Sequence, residues 1–172
     1  KASLFKKYGK EKRKVFSSVR DLRVDYQSVL EQYPVVLSTT FSSRICLSDQ
    51  AEFDYLIMDE ASQVSIETGA LALTCAKNVV IVGDTLQLPN IVTGEDKKKL
   101  DAIVAEFDIP SGYDCAGNSF LQSVCTLLPD APQTLLREHY RCHPRIIDFC
   151  NRKFYSGGLL IMTEDDGKPD TL

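Results

Sequence analysis

The spacing of apolar positions along this chain changes several times, and each change marks an element. Between Ser18 and Tyr33 they fall at Val19, Leu22, Tyr26, Val29, Leu30 and Tyr33, steps of three and four that line one side of a helix. Ser18 and Asp21 stand where a cap and its first-turn acid belong, and Pro34 cannot continue the helix, so a single amphipathic helix is predicted up to Tyr33. Val35-Val36-Leu37 reads as a short strand running into Ser38-Thr39-Thr40, and a polar loop follows from Ser42 to Glu52. Tyr55-Leu56-Ile57-Met58 and Asn78-Val79-Val80-Ile81-Val82 are unbroken apolar runs, as expected of strands covered on both faces. Between them Ser65 to Ala76 has helical length, with Ser65 as N-cap. Strand, helix, strand predicts a right-handed βαβ unit with parallel strands. Asp59-Glu60 and Gly83-Asp84 then leave the sheet along one edge, the carboxyl edge at which open α/β folds bind ligands.

Further on, Glu95 to Phe107 predicts an amphipathic helix with Leu100, Ile103, Val104 and Phe107 on one face and the Lys97 to Lys99 run on the other. Pro110-Ser111-Gly112 breaks the chain, and Asn118 to Leu128 is helical. Thr134-Leu135-Leu136 begins a strand leading into Arg137-Glu138-His139-Tyr140-Arg141. Pro144 opens a last helix to about Phe154, closed by Ser156-Gly157-Gly158.

Composition narrows the class. With 172 residues, 44% of them hydrophobic, the chain can bury a sizeable core, which excludes a disordered or collagen-like protein. No apolar run approaches the ~20 residues of a bilayer crossing. The opening KASLFKKYGK also lacks the features of a secretory signal, so a soluble, intracellular chain with no membrane partner is expected: cytoplasmic, with the nucleus open. The six cysteines are irregularly spaced without a CxxC pair and read as reduced thiols. A net charge of −4 argues against a surface coated in positive potential. That charge is uneven: Lys1 to Lys14 hold seven Lys or Arg against the single Glu11, a local +6 that leaves −10 elsewhere. The tract reads as a solvated terminus or as a phosphate-contacting arm.

An apolar strand ending in Asp-Glu suits phosphoryl transfer, in which one carboxylate holds Mg²⁺ through its waters and its neighbour orients the attacking water. Gly83-Asp84-Thr85-Leu86-Gln87-Leu88-Pro89, one crossover downstream, adds an acid, an amide able to read a phosphate oxygen and a rigid turn. Arg141, in Tyr140-Arg141-Cys142-His143-Pro144, could neutralise charge developing on a transferring phosphate. His139, Cys142, His143 and Cys150 are metal-type residues within a short stretch, but they have no standard zinc spacing.

DYLIMDEASQ, VVIVGDTLQLPN and LLREHYRCHPRIIDFCNRKFY, in this order, resemble motifs II, III and IV of superfamily 1 helicases, in the branch related to the nonsense-mediated decay helicase. VVLSTT is similar to the family's motif Ic. The resemblance implies an α/β fold, a RecA-like P-loop NTPase core whose two lobes hold ATP between them. It implies that Asp59 takes the Mg²⁺ role and Glu60 activates water. Gln87 would sense the γ-phosphate and couple it to the track, Arg141 would reach that phosphate, and Asp84 would belong to the nucleotide site. Thr39 and Thr40 would touch the backbone of single-stranded DNA or RNA. Residues 1–33 resemble the returning arm of a helical insertion, 34–140 the later part of the first lobe and 141–172 the start of the second.

No GxxxxGK[ST] loop occurs in the sequence, nor any match to motifs V and VI. The expectation is therefore an excised middle of a motor, inactive towards ATP alone and completed by the rest of the same polypeptide. The alternative is a RecA-like lobe kept as a non-catalytic nucleic-acid-binding or scaffolding module. Retention of Asp59, Glu60, Gln87 and Arg141 favours the motor. DNA or RNA remains open, because a motor that tracks the phosphate backbone needs no base readout.

Overall fold

A computed structural model of the chain describes residues 16–165 and 167. The basic tract from Lys1 to Lys14 lies outside the described residues. The chain divides into two units, one ending at Pro129 and one beginning at Asp130. Glu138 and His139 fall in the second unit, where they pair with a strand that comes after them.

In the first unit the predicted N-terminal helix is two helices, α1 (Val19–Val24) and α2 (Tyr26–Gln32). Ser18 caps α1 by accepting a hydrogen bond from the Asp21 amide. The break falls at Asp25, whose backbone leaves the helical region (φ −112°, ψ 41°). A mid-helix aspartate competes with the backbone for hydrogen bonds and favours such interruptions. Val29 of α2 is buried with Leu47 and Ala51, so this helix packs on the polar loop that follows. Val35-Val36-Leu37 is not a strand: it joins no sheet, and Val35 and Leu37 are exposed. Strand propensity is realised only where a neighbour supplies the ladder.

Strands β1 (Phe53–Met58) and β2 (Ala76–Ile81) are parallel, in register from Phe53 opposite Ala76 to Met58 opposite Ile81. Helix α3 (Ile66–Leu73) crosses between them, capped by Ser65, which accepts from the Thr68 amide. It ends three residues before the predicted Ala76, which instead opens β2. The core gathers Met58, Ala61, Ala72, Phe120 and Leu121, with Leu56 and Ile81 packed against it. Burial of both sheet faces is not met among the described residues. Tyr55 and Ile57, which alternate with Leu56 and Met58, are 66% and 70% exposed.

Helix α4 (Gly94–Phe107) has no buried residue, and Ile103 and Phe107 of its apolar face are exposed. Helix α5 (Phe120–Leu127), capped by Ser119, buries Phe120, Leu121 and Ser123 against α3 and the turn Ala61–Gln63.

In the second unit, β3 (Glu138–His139) pairs in parallel with β4 (Leu160–Ile161). The strand expected from Thr134 is confined to these two residues, and Leu135 and Leu136 are exposed outside any sheet. Helix α6 (Pro144–Phe154) has the predicted bounds. His143 caps it, Nδ1 accepting from the Arg145 amide at 3.3 Å. Buried Asn151 ties α6 to the approach of β4: its amide donates to the Leu159 carbonyl at 3.1 Å and its oxygen accepts from the Leu159 amide at 2.9 Å.

Candidate nucleotide site

The carboxyl ends of β1 and β2 are stitched together beyond the strands. Val82 N–H donates to the Met58 carbonyl at 2.8 Å, and Ala61 N–H donates to the Val82 carbonyl at 2.9 Å. Asp59-Glu60 and Gly83-Asp84 therefore emerge beside one another at one sheet edge. Gly83 is small for a reason that can be measured. A Cβ there would lie 2.9 Å from Leu121 Cδ2 and 3.2 Å from the backbone nitrogens of Ala61 and Ser62. The second turn thus closes directly on the segment that follows the acids. Asn90 N–H, at the far end of the same loop, donates to the Ser62 carbonyl at 2.7 Å.

Glu60 occupies the left-handed region (φ 53°, ψ 39°). For a residue with a Cβ this costs roughly 1–2 kcal/mol, and such strain persists where surrounding structure over-determines it. Here the fixed end of β1, the Ala61 bond to Val82 and the buried Ala61–Ser62 pair force the reversal. The Asp59 carboxylate accepts the Glu60 amide at 2.9 Å through Oδ1. Both carboxylates are exposed, and among the described residues no ion pair engages either. An exposed carboxylate with an oxygen to spare is a hard donor suited to Mg²⁺. Asp59 could hold that ion.

The loop after β2 has its own order. Asp84 accepts from the Leu86 amide at 2.9 Å through Oδ1 and from Gln87 Nε2 at 3.2 Å through Oδ2, while its carbonyl accepts from the Gln87 amide at 3.2 Å. Gln63, Leu86, Gln87, Leu88 and Pro89 line an open groove of about 630 Å³. Gln63 and buried Ser62, whose hydroxyl has no partner among the described residues, were not marked by the chemistry of the sequence. Both follow the acids directly, and only the turn brings Gln63 to the groove.

Thr39 and Thr40 belong to the same unit, in a different turn. Thr39 Oγ1 accepts from the Ser42 amide at 3.3 Å, and the Thr40 carbonyl accepts from the Ser43 hydroxyl at 2.7 Å. Among the described residues no hydrogen bond joins them to the acids or to Gln87. Arg141 lies in the second unit, exposed, with no hydrogen bond or ion pair to its guanidinium among the described residues. Beside it the Tyr140 hydroxyl donates to Glu138, and that bond raises the Tyr140 pKa. The His139, Cys142, His143 and Cys150 stretch does not form a metal-holding group among the described residues. His143 Nε2 lies 3.3 Å from Asp165 instead.

A parallel strand pair crossed by a helix, with acids and a GDTLQLP loop at its carboxyl edge, fits the α/β core of a RecA-like fold. Comparison with known proteins agrees. Residues 2–95 match the AAA domain family. The chain is 33% identical over 136 residues to probable helicase MAGATAMA 3 of Arabidopsis thaliana, covering 77% of this chain and 14% of that protein. It is 30% identical over 146 residues to the DNA replication ATP-dependent helicase/nuclease DNA2 of Gallus gallus (85% and 13%). Against the 5'-3' DNA helicase ZGRF1 of Mus musculus it is 30% identical over 118 residues (67% and 5%). The chain belongs to the AAA domain family and is a relative of superfamily 1 ATP-dependent helicases, with the α/β fold of part of a RecA-like P-loop core. It spans about a seventh or less of the length of these relatives.

Proposed function

We propose that this chain is the segment of an ATP-dependent helicase or translocase that carries the metal-binding and water-activating acids, and that the whole protein moves along single-stranded DNA or RNA. The observation that carries the reading is Glu60, held in a strained left-handed conformation next to Asp59 and against the Gly83 turn. A solvated strand end has no need of that strain.

In this reading Asp59 holds Mg²⁺, which when bound neutralises phosphate charge. The Glu60 carboxylate accepts a proton from the attacking water. Gln87 reports occupancy of the terminal phosphate. Arg141, whose guanidinium has no other engagement among the described residues, stabilises charge that grows during transfer. Thr39 and Thr40 contact the nucleic-acid backbone, and the remaining nucleotide contacts come from the rest of the polypeptide.

The test is Glu60→Gln in the full-length protein. The amide keeps the shape and cannot take the proton, so ATP still binds while hydrolysis falls about 10²- to 10⁴-fold. Turnover at the parent rate would leave Glu60 a structural residue at a solvated strand end, and a full-length parent with no ATP turnover at all would instead favour the non-catalytic binding module. Arg141→Ala and Gln87→Ala should then fail differently. The first lowers kcat more than it weakens ATP binding, by up to about 10³-fold. The second chiefly reduces stimulation of hydrolysis by single strands. Full stimulation in Gln87→Ala, together with a change in KM alone for Arg141→Ala, would refute both roles.

A further inference from the structure

We infer that Asp84 is a positioning residue that fixes the polarity of the Gln87 amide, rather than a ligand of nucleotide or metal; this rests on the reading of Gln87 given above. Both carboxylate oxygens of Asp84 are turned into its own loop. Oδ1 takes the Leu86 amide at 2.9 Å, Oδ2 takes Gln87 Nε2 at 3.2 Å, and the Asp84 carbonyl takes the Gln87 amide at 3.2 Å.

A free glutamine amide can turn over, because its oxygen and nitrogen ends have the same shape and opposite hydrogen-bonding character. An ionised carboxylate can only accept. While Asp84 is ionised, the nitrogen end of Gln87 must face it, and the Oε1 end faces away. Gln87 is exposed and lines the groove with Gln63. The loop therefore holds a glutamine of fixed polarity beside the groove, and the end not bound to Asp84 is its carbonyl oxygen, which in the proposed role would accept a hydrogen from water at the terminal phosphate. Pre-setting that orientation removes a reorganisation step from the coupling of phosphate occupancy to the track.

Two substitutions break this bond in different ways without removing the turn. In Asp84→Asn, Oδ1 can still take the Leu86 amide, but Nδ2 now faces Gln87, and the glutamine amide has to turn over. In Asp84→Ser the hydroxyl can take the Leu86 amide and is too short to reach Gln87. The measurement is ATP hydrolysis by the full-length protein with and without single-stranded DNA and RNA, for these variants, for Gln87→Ala and for each double variant. Both Asp84 variants should lose single-strand-stimulated kcat by about tenfold, the equivalent of one charge-assisted hydrogen bond. KM for ATP and the Mg²⁺ concentration for half-maximal rate should move less than about twofold. In the Gln87→Ala background the same Asp84 substitutions should have no further effect, because the group they act through is gone.

Losses that multiply in the double variants, or a clear rise in the ATP or Mg²⁺ requirement, would overturn the inference and make Asp84 a direct ligand, leaving the reading of the site intact. If Gln87→Ala itself keeps full stimulation, the assigned role of Gln87 fails, and the inference fails with it.

Discussion

Gly69→Ala offers the sharpest test of how the site is supported. Gly69 is buried in α3, and a Cβ added there would lie 2.2 Å from Phe120 Cδ2, 2.3 Å from Cγ and 2.8 Å from Cδ1. Carbon atoms in contact sit about 3.5–4.0 Å apart, so the ring must retreat by more than about 1.3 Å. It has nowhere to go. Phe120 is 3% exposed, and its amide donates to the Val64 carbonyl at 2.8 Å, which fixes the backbone from which the ring projects. Overpacking of a close-packed interior costs about 1–3 kcal/mol, and complete loss of a phenylalanine from a core about 3–5 kcal/mol. Against this, alanine in place of glycine inside a helix gains about 1 kcal/mol. An overlap of this depth belongs towards the upper end, so the net loss should be about 2–4 kcal/mol. With no tryptophan in the sequence, urea unfolding is best followed by circular dichroism at 222 nm. At a slope of about 2 kcal/mol/M the midpoint should fall by about 1–2 M. Adding Phe120→Leu, which shortens the opposing side chain, should recover part of the loss. A raised midpoint at unchanged slope is what open helix surface gives; it would refute the packing of α3 on α5 and, with it, the support of the Ala61–Gln63 turn behind the acids.

Two further predictions concern the whole chain and its second unit. The 172-residue chain should show no Mg²⁺-dependent ATP turnover above a buffer blank, since its sequence carries no phosphate-cradling GxxxxGK[ST] loop; turnover that survives repurification would refute this. In the second unit the Asp165 carboxyl is held below its ordinary value of 3.8, first by the Gly167 amide that donates to it at 3.0 Å, then by the neighbouring Arg145 and His143. A depressed folded pKa contributes stability that is present above the unfolded value and lost as pH falls through the folded one. Melting curves from pH 6 down to pH 2 should therefore show a shallower acid decline in Asp165→Asn than in the parent, and equal declines would refute the assignment.

Local rules determined much of this protein from sequence alone. Caps and breakers act within a few residues, so Ser18, Ser65 and Pro144 announce the starts of α1, α3 and α6 wherever the chain goes next. The apolar runs around the α3 crossover were enough for parallel strands and a shared carboxyl edge, because a helical crossover admits little else. Long-range partners decided the rest. Val35-Val36-Leu37 and Thr134-Leu135-Leu136 have strand composition and join no sheet, since pairing depends on what lies alongside and not on the segment itself. The outward burial of Tyr55 and Ile57 failed for the same reason: an apolar run records a capacity to be covered, not the cover. Most telling is the site. Its acids and its glutamine are legible as letters, and the bond that orients Gln87 on Asp84 is local to one loop, but the left-handed turn at Glu60 and the closeness of Gly83 to Ala61 and Ser62 arise only when β1 and β2 are stitched at their ends and α5 packs beneath them. Residue type sets which chemistry is available, and contacts between residues distant in sequence set the geometry in which it can act.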